Sequence, residues 1–443
     1  MRPLSKLCGL AVLVWPFLAV AQTPDLTRIL ERLDRLEREN RELSEQVTAL
    51  QARLDGAPAT AAIKPVDVPL DQRVEIQERR VDELAQAKVE SSQRFPIRLT
   101  GMALFNAFLN SHQSGGFDYP VTASATGPNH SGATLRQTVV GLDFRGPTAV
   151  AGGAVHGSLF MDFFAGANNQ TMRIRTGSIE IDWKTRSIMA GIEKPIFNPR
   201  EPSSLAQVGI SPFTGTGNLW LWLPQVRGEQ DFAFGRSSGL RAQLGLLQTR
   251  EVLPYAGASV PGALEAARPA LEGRFELYHR LDDDRRIEFA PGFHTSTTHI
   301  GGISLPSRLF SLDWFANPLR RVEFSGAFYT GENVAVLGNG YGQGFYGYGR
   351  FQETTPSIGG WGQLTIHTVP RVDLHLFTGQ QDDANRGLCN GRIGKNVQYG
   401  GNLYYRLAPN VLLGLEATQL RTLYIGQGVR INNHYDLALA YSF

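Results

Sequence analysis

Cysteine is nearly absent: the 443 residues hold two, Cys8 and Cys389. That excludes a zinc site built on several cysteines and any disulfide framework. Charge of one sign is lacking too, since 43 Lys plus Arg against 41 Asp plus Glu leave a net charge of +2. No nucleic acid or other polyanion held by bulk charge is expected as a partner. After the first two dozen residues no stretch reaches the run of about 18 apolar positions that a membrane helix needs. A polytopic helical membrane protein is thereby excluded, and a membrane β-barrel is not. Lysine is scarce beyond Ile97, where Lys184, Lys194 and Lys395 stand among 26 arginines.

Glycine and aromatic residues are plentiful instead, with 48 Gly, 24 Phe and 13 Tyr, a balance that suits strands better than helices. At the amino terminus Arg2 and Lys6 precede an apolar run from Leu7 to Val20, and Ala19-Val20-Ala21 supplies a small-x-small cleavage pattern. Residues 1–21 are therefore expected to be a signal peptide that exports the chain and takes Cys8 with it. Cys389 is then the only thiol left, so no intramolecular disulfide can staple the exported protein.

Residues 22–55 repeat with a 3-4 spacing: Leu26, Ile29, Leu33, Leu36, Asn40, Leu43, Val47, Leu50 and Leu54 take successive a and d positions. Arg32 at g can meet Glu37 at the following e of a neighbour, and the pattern predicts a parallel oligomeric coiled coil. Leu at a with Ile at the first d favours a trimer, whereas a single buried Asn40 favours register control and a dimer. Residues 56–70 are an Ala/Pro-rich linker. Residues 71–96 form a second helical segment whose partial heptad (Val74, Val81, Leu84) is interrupted by Gln77 and Lys88 and stopped by Pro96.

From Ile97 the period changes to two. Tyr435, Leu437, Leu439, Tyr441 and Phe443 share one face of the last stretch, with His434, Asp436, Ala438, Ala440 and Ser442 on the other. Aromatic ends on an apolar stripe, backed by small and polar groups, fit a strand with lipid outside and water inside. The alternation recurs at Tyr399–Leu407, Val411–Ala417, Val322–Phe328, Phe310–Trp314, Ile287–Phe293 and Leu240–Leu246. Tight turns are expected at 282–284, 317–318, 369–370 and 409–410, and long connections at 111–133, 198–237 and 332–359. Short and long connections in alternation define an up-and-down barrel, and sixteen strands count out across residues 97–443. Fourteen or eighteen stay open, because Pro254 weakens a seventh strand placed near 251–259 and parity changes within 172–183, where a bulge is expected. A strand of about ten residues, rising about 3.3 Å each and tilted near 45°, spans roughly 23 Å, which matches an outer-membrane apolar band. The fold class read from the sequence is thus all-β, a transmembrane antiparallel barrel preceded by a helical coiled coil.

Arginine outnumbers lysine in the barrel, and its guanidinium fork grips carboxylate or phosphate oxygens through paired hydrogen bonds. The candidate pore-lining residues are Arg173, Arg175, Arg200, Arg227, Arg241, Arg274 and Arg280, which would favour anions in a water-filled lumen. Glu276, Asp313, Glu323 and Asp373 fall on the same inner face and can pair with them. The long connection 198–237, after the fifth strand, carries Arg200, Glu201, Arg227, Glu229, Asp231 and Leu219-Trp220-Leu221-Trp222. Such content suits a constriction loop folded into the pore or a subunit interface, either of which would shelter the two tryptophans.

The coiled coil, linker, sixteen-strand pattern, long loop after strand five and closing Tyr441-Ser442-Phe443 together resemble trimeric Gram-negative outer-membrane porins of the DcaP-like type. The resemblance implies a homotrimer joined by a periplasmic coiled coil, whose pores in the outer-membrane bilayer pass small organic anions among small hydrophilic solutes. It also implies that Tyr435, Tyr441 and Phe443 are read by the barrel-assembly machinery. No cofactor or metal is expected. Gly342-Gln343-Gly344-Phe345-Tyr346-Gly347 matches a dinucleotide fingerprint by letters but has no helix after it. Two rival readings are a barrel-anchored tether to peptidoglycan and, with less support, an outer-membrane hydrolase. The hydrolase would draw on His294, His299, His367 or His375 with Asp373 or Ser296, around which no nucleophile elbow is written.

Overall fold

The computed structural model describes residues 96–165, 170–249, 269–300, 303–339, 341, 343–348 and 351–443. The signal peptide, coiled coil with its seam, linker and second helical segment expected before Pro96 lie outside these residues. The chain forms β1 (Ile97–Asn110), β2 (His130–Thr134), β3 (Val139–Thr148), β4 (Ala154–Asp162), β5 (Arg173–Asp182), β6 (Arg186–Glu193) and β7 (Leu223–Ala233). It continues with β8 (Ser238–Leu247), β9 (Ala270–Arg280), β10 (Arg286–Ile300), β11 (Ile303–Leu319), β12 (Val322–Glu332), β13 (Phe345–Tyr348) and β14 (Phe351–Thr354). Last come β15 (Pro356–Val369), β16 (Val372–Asp383), β17 (Ile393–Ala408), β18 (Val411–Tyr424) and β19 (Gly428–Ser442).

Sequential strands pair antiparallel, and the sheet closes where β1 meets β19 over nine facing residues, from Met102 opposite Ser442 to Asn110 opposite His434. Both β2 and β3 lie on the other edge of β1, the former beside Asn106–Asn110 and the latter beside Ile97–Met102. They are two halves of one wall strand interrupted at residues 135–138, so the barrel has sixteen strands. The hairpin β13–β14 stands apart from it.

Alternation sets the faces. Tyr435, Leu437, Leu439 and Tyr441 are each more than two-fifths exposed, while His434, Asp436, Ala438 and Ala440 are buried. Phe275 and Leu277, Ile287 and Phe289, Phe310, Phe324, Tyr399 and Leu403 are likewise exposed and turned outward. Exposed apolar side chains in rows around a closed barrel are stable only against lipid.

Four local expectations need correction. Residues 223–233 are not part of the long connection but form β7, the sixth wall strand. Their apolar alternation is thin (Val226 and Phe232 outward, Gly228 and Gln230 between), so the pattern hides it. The seventh strand is therefore β8, ending at Leu247, and not a segment near Pro254, which lies outside the described residues. β11 runs through Asn317-Pro318 to Leu319; this pair makes a register shift within the strand, held by Asn317 Oδ1 accepting from Arg286 N–H at 2.6 Å. Long and short connections do not alternate strictly, since Ile300 faces Ile303 at the loop end of β10–β11 and Tyr424 faces Gly428 at that of β18–β19. The irregularity read from the 172–183 parity change is real: β4 skips Arg175 in its pairing with β5.

Candidate functional site

Residues 194–222, between β6 and β7, leave the rim and fold into the barrel. Their backbone forms no strand, so its amides bond either within the loop, as those of Thr216 and Asn218 do to the Phe213 carbonyl, or to the wall. Ile196 N–H donates to Glu272 Oε2 at 2.8 Å, and Ser311 Oγ donates to the Phe197 carbonyl. Gln137 Nε2 donates to the Ala206 carbonyl at 2.8 Å, while its Oε1 accepts from the Val208 and Gly209 amides. Asn106, Asn396 and Asn402 donate to the carbonyls of Leu205, Gly215 and Ser203. Apolar contacts fill the gaps: Phe213 packs on Ala327, Trp361 and Phe377, and Leu205 on Leu104, Ala438 and Ala440. Gly217 sits with φ +108 against the carbonyls of Gly360 and Gln380, where no side chain fits.

Gln137 reaches this loop because the wall opens at 135–138. Thr138 Oγ1 takes the Leu104 amide that the ladder leaves free there. A second segment, residues 111–129, also turns inward: Ala123 N–H donates to Thr422 Oγ1, and Tyr119 OH accepts from Gln398 at 2.7 Å. Asn396 bridges the two inserted segments through the carbonyls of Val121 and Gly215.

The arginines fall into two groups. Near the loop end of β5, Arg173 Nε and Arg175 Nη1 grip the buried Asp162 at 2.8 and 3.1 Å. The same guanidiniums donate to the Gly209 and Val208 carbonyls of the inner loop and lie over the Trp222 ring at 5.3 and 4.7 Å. Arg136, paired with Asp118 at 3.3 Å, covers Phe164 at 4.4 Å. Glu201, paired with Lys194 at 2.8 Å, also acts on Arg175, so among the described residues four cations meet three carboxylates. The second group is balanced: Arg200 contacts Asp313, Glu288 and Glu276, and Arg274 joins Asp313 and Glu276 at 2.7 and 2.6 Å. Arg241 reaches Glu276 and Glu229, and Arg286 reaches Glu288.

Arg280 marks the turn-end rim of a cleft of about 360 Å³ shared with Arg241, Glu276, Tyr278 and Glu288. Arg227 belongs to strand β7, not to the loop, and neither it nor Arg280 makes an ion pair among the described residues. Trp220 and Trp222 pack edge to face at 5.0 Å inside the barrel. The sequence reading placed Gln398 and Asn402 on the face opposite Tyr399 and Leu403 but gave no role to them or to Asn106, Gln137 and Asn396, the inward amides that hold the loop. Their signal was an excess of Asn and Gln at inward positions of the alternation.

The histidines are tied into the wall. His294 Nδ1 lies 2.8 Å from Glu272 Oε1 and its Nε2 lies 2.9 Å from Ser296 Oγ, the bonding order of a hydrolytic triad. Its ring is wholly buried under Phe197, and the second Glu272 oxygen is spent on the Ile196 amide. This leaves no room for a carbonyl beside the base. His367 bridges Glu323 and Asp373, and His375 bonds Thr365. Among the described residues no cluster of three or more His, Cys, Asp or Glu could hold a metal.

A closed sixteen-stranded barrel with a loop folded inward after the fifth strand is the porin fold. No family model matches the chain, and no curated protein matches it. Among solved structures, the outer membrane channel DcaP of Acinetobacter baumannii is 16% identical, with 78% of this chain and 97% of that one covered and a TM-score of 0.66. An anion-selective porin from Comamonas acidovorans is 11% identical over 78% and 99% of the two chains, with a TM-score of 0.54. OmpF of Salmonella typhi, solved with daunomycin, is 11% identical over 78% and 97%, with a TM-score of 0.51.

Proposed function

We propose that this protein is an outer-membrane porin, a passive channel for small hydrophilic solutes that favours small organic anions such as carboxylates. The observation that carries the reading is the inner loop: a 29-residue segment held to the wall by polar bonds narrows a lumen lined by charged and amide groups. Anion preference rests on the group of Arg136, Arg173, Arg175 and Lys194, whose four cations exceed Asp118, Asp162 and Glu201 by one among the described residues. Selectivity follows the fixed charge nearest the narrowest part. The tight turns and both chain ends of the barrel face the periplasm in this reading, where the seam Leu26 to Leu54 joins three copies. Phe443, with Tyr441 and Tyr435, guides assembly into the bilayer.

Planar-bilayer recording of the refolded protein under a salt gradient tests this. Openings in triplets with an anion-directed reversal potential are expected. Absence of any conductance would return the tether reading to first place.

A further inference from the structure

Glu416 and Asp436 face each other across β18 and β19. Both side chains point into the barrel and are at least nine-tenths buried. Among the described residues every hydrogen bond they receive comes from a neutral group. Ser204 Oγ and Asn402 Nδ2 donate to Glu416 Oε2 at 2.7 and 3.1 Å, and Asn106 Nδ2 donates to Asp436 Oδ1 at 3.0 Å. Glu416 Oε1 is fully buried with no partner.

Among the described residues no lysine, arginine or histidine forms an ion pair with either carboxylate. Among the described residues the other titratable groups beside the pair are Tyr404 from β17 and Tyr119 from the inserted 111–129 segment; His434, two residues before Asp436 on β19, is engaged through Nδ1 with Asn110. Two facing carboxylates cannot both be ionised in such a place, because their repulsion is unscreened and no cation offsets it. A buried carboxylate oxygen without a donor is equally unfavourable, and a proton on it removes that cost.

The pair also holds the inner loop. Ser204 bonds Glu416 directly, and Asn106 and Asn402, which bond the two carboxylates, donate as well to the Leu205 and Ser203 carbonyls. We propose that Glu416 and Asp436 share one proton, and that this proton latches residues 203–205 of the inner loop to the wall. Its release to water leaves two negative charges facing each other, draws water between wall and loop and frees that stretch. The inference rests on the porin reading only where conductance is the readout.

Infrared spectra and hydrogen exchange of the refolded chain, taken between about pH 5 and about pH 10, test it against the double variant Glu416→Gln plus Asp436→Asn. The amides keep the acceptors and place a donor where the proton sat. The wild type is expected to show a protonated-carboxyl band that disappears as pH rises and is missing from the double variant. Over the same range, exchange in the peptide spanning 203–209 should rise at least about tenfold beyond that of the variant. Single-channel conductance should step with pH in the wild type and stay level in the variant. Lack of the band, or equal exchange in both proteins, overturns the latch. A silent bilayer with band and exchange intact overturns the porin reading instead.

Discussion

At the scale of single residues, the inner wall is built from charges that cannot be removed one at a time. Arg274 is 3% exposed and lies between Asp313 and Glu276, themselves buried. Arg274→Ala leaves Asp313 to Arg200 alone and Glu276 to Arg200 and Arg241, and the lost charge-assisted hydrogen bonds are expected to lower unfolding free energy by about 1.5–3 kcal/mol, readable from urea titration of the folded fraction. Arg173 and Arg175 share one carboxylate, so replacing both by alanine turns a surplus cation into a surplus anion. The reversal potential under a salt gradient should then move toward cation preference, and an unmoved potential would remove these residues from selectivity. Arg241→Ala should move it in the same direction. In the 281–285 turn, Asp282 is held below the usual carboxylate range, first by the hydrogen bond from the Arg285 side chain and then by backbone amides. A folded value below the unfolded one means that its support is present above the unfolded value and fades as pH falls through the folded one. Asp282→Asn should therefore flatten the acid limb of the stability profile, measured as unfolding midpoint against pH.

At the scale of elements, what the sequence made legible follows from how each stretch meets lipid. β19, β17 and β10 were readable because large apolar side chains recur on one face: Tyr435 to Tyr441, Tyr399, Leu403 and Tyr405, and Ile287, Phe289 and Phe293. β7 was not, because its outward face uses Gly228 and Gln230, and a strand recognised only by its neighbours carries no period of its own. The inner loop was visible as a region, through its length and its tryptophans, but its anchors were not: Gln137 bonds it from a break in the wall that no local pattern announces. Gly217 shows how close the fit is. Gly217→Val would force a side chain into the Gly360 and Gln380 carbonyls at a φ that suits glycine, and should lift the loop. Larger single-channel conductance with an unchanged far-ultraviolet spectrum is the expected result.

At the scale of the whole molecule, the wall is uneven. β6 has eight residues, whereas β10 and β11 have fifteen and seventeen. Outward residues on that long hairpin are apolar up to Phe293 and from Phe310 onward, while Thr295, Ser304 and Arg308 beyond them are exposed and polar. If the proposed coiled coil joins three copies, a chain lacking residues 22–55 should still form the barrel, since the wall pairings among the described residues lie within 97–442, and should run as a monomer where the full chain runs as a trimer; native mass measurement in detergent distinguishes the two states. The unequal height has a practical reach. With Thr295, Ser304 and Arg308 exposed and polar at that end of the hairpin, an epitope inserted between Ile300 and Ile303 should be reached by antibody on unbroken cells only if that end points outward, so staining would reveal which way the barrel points.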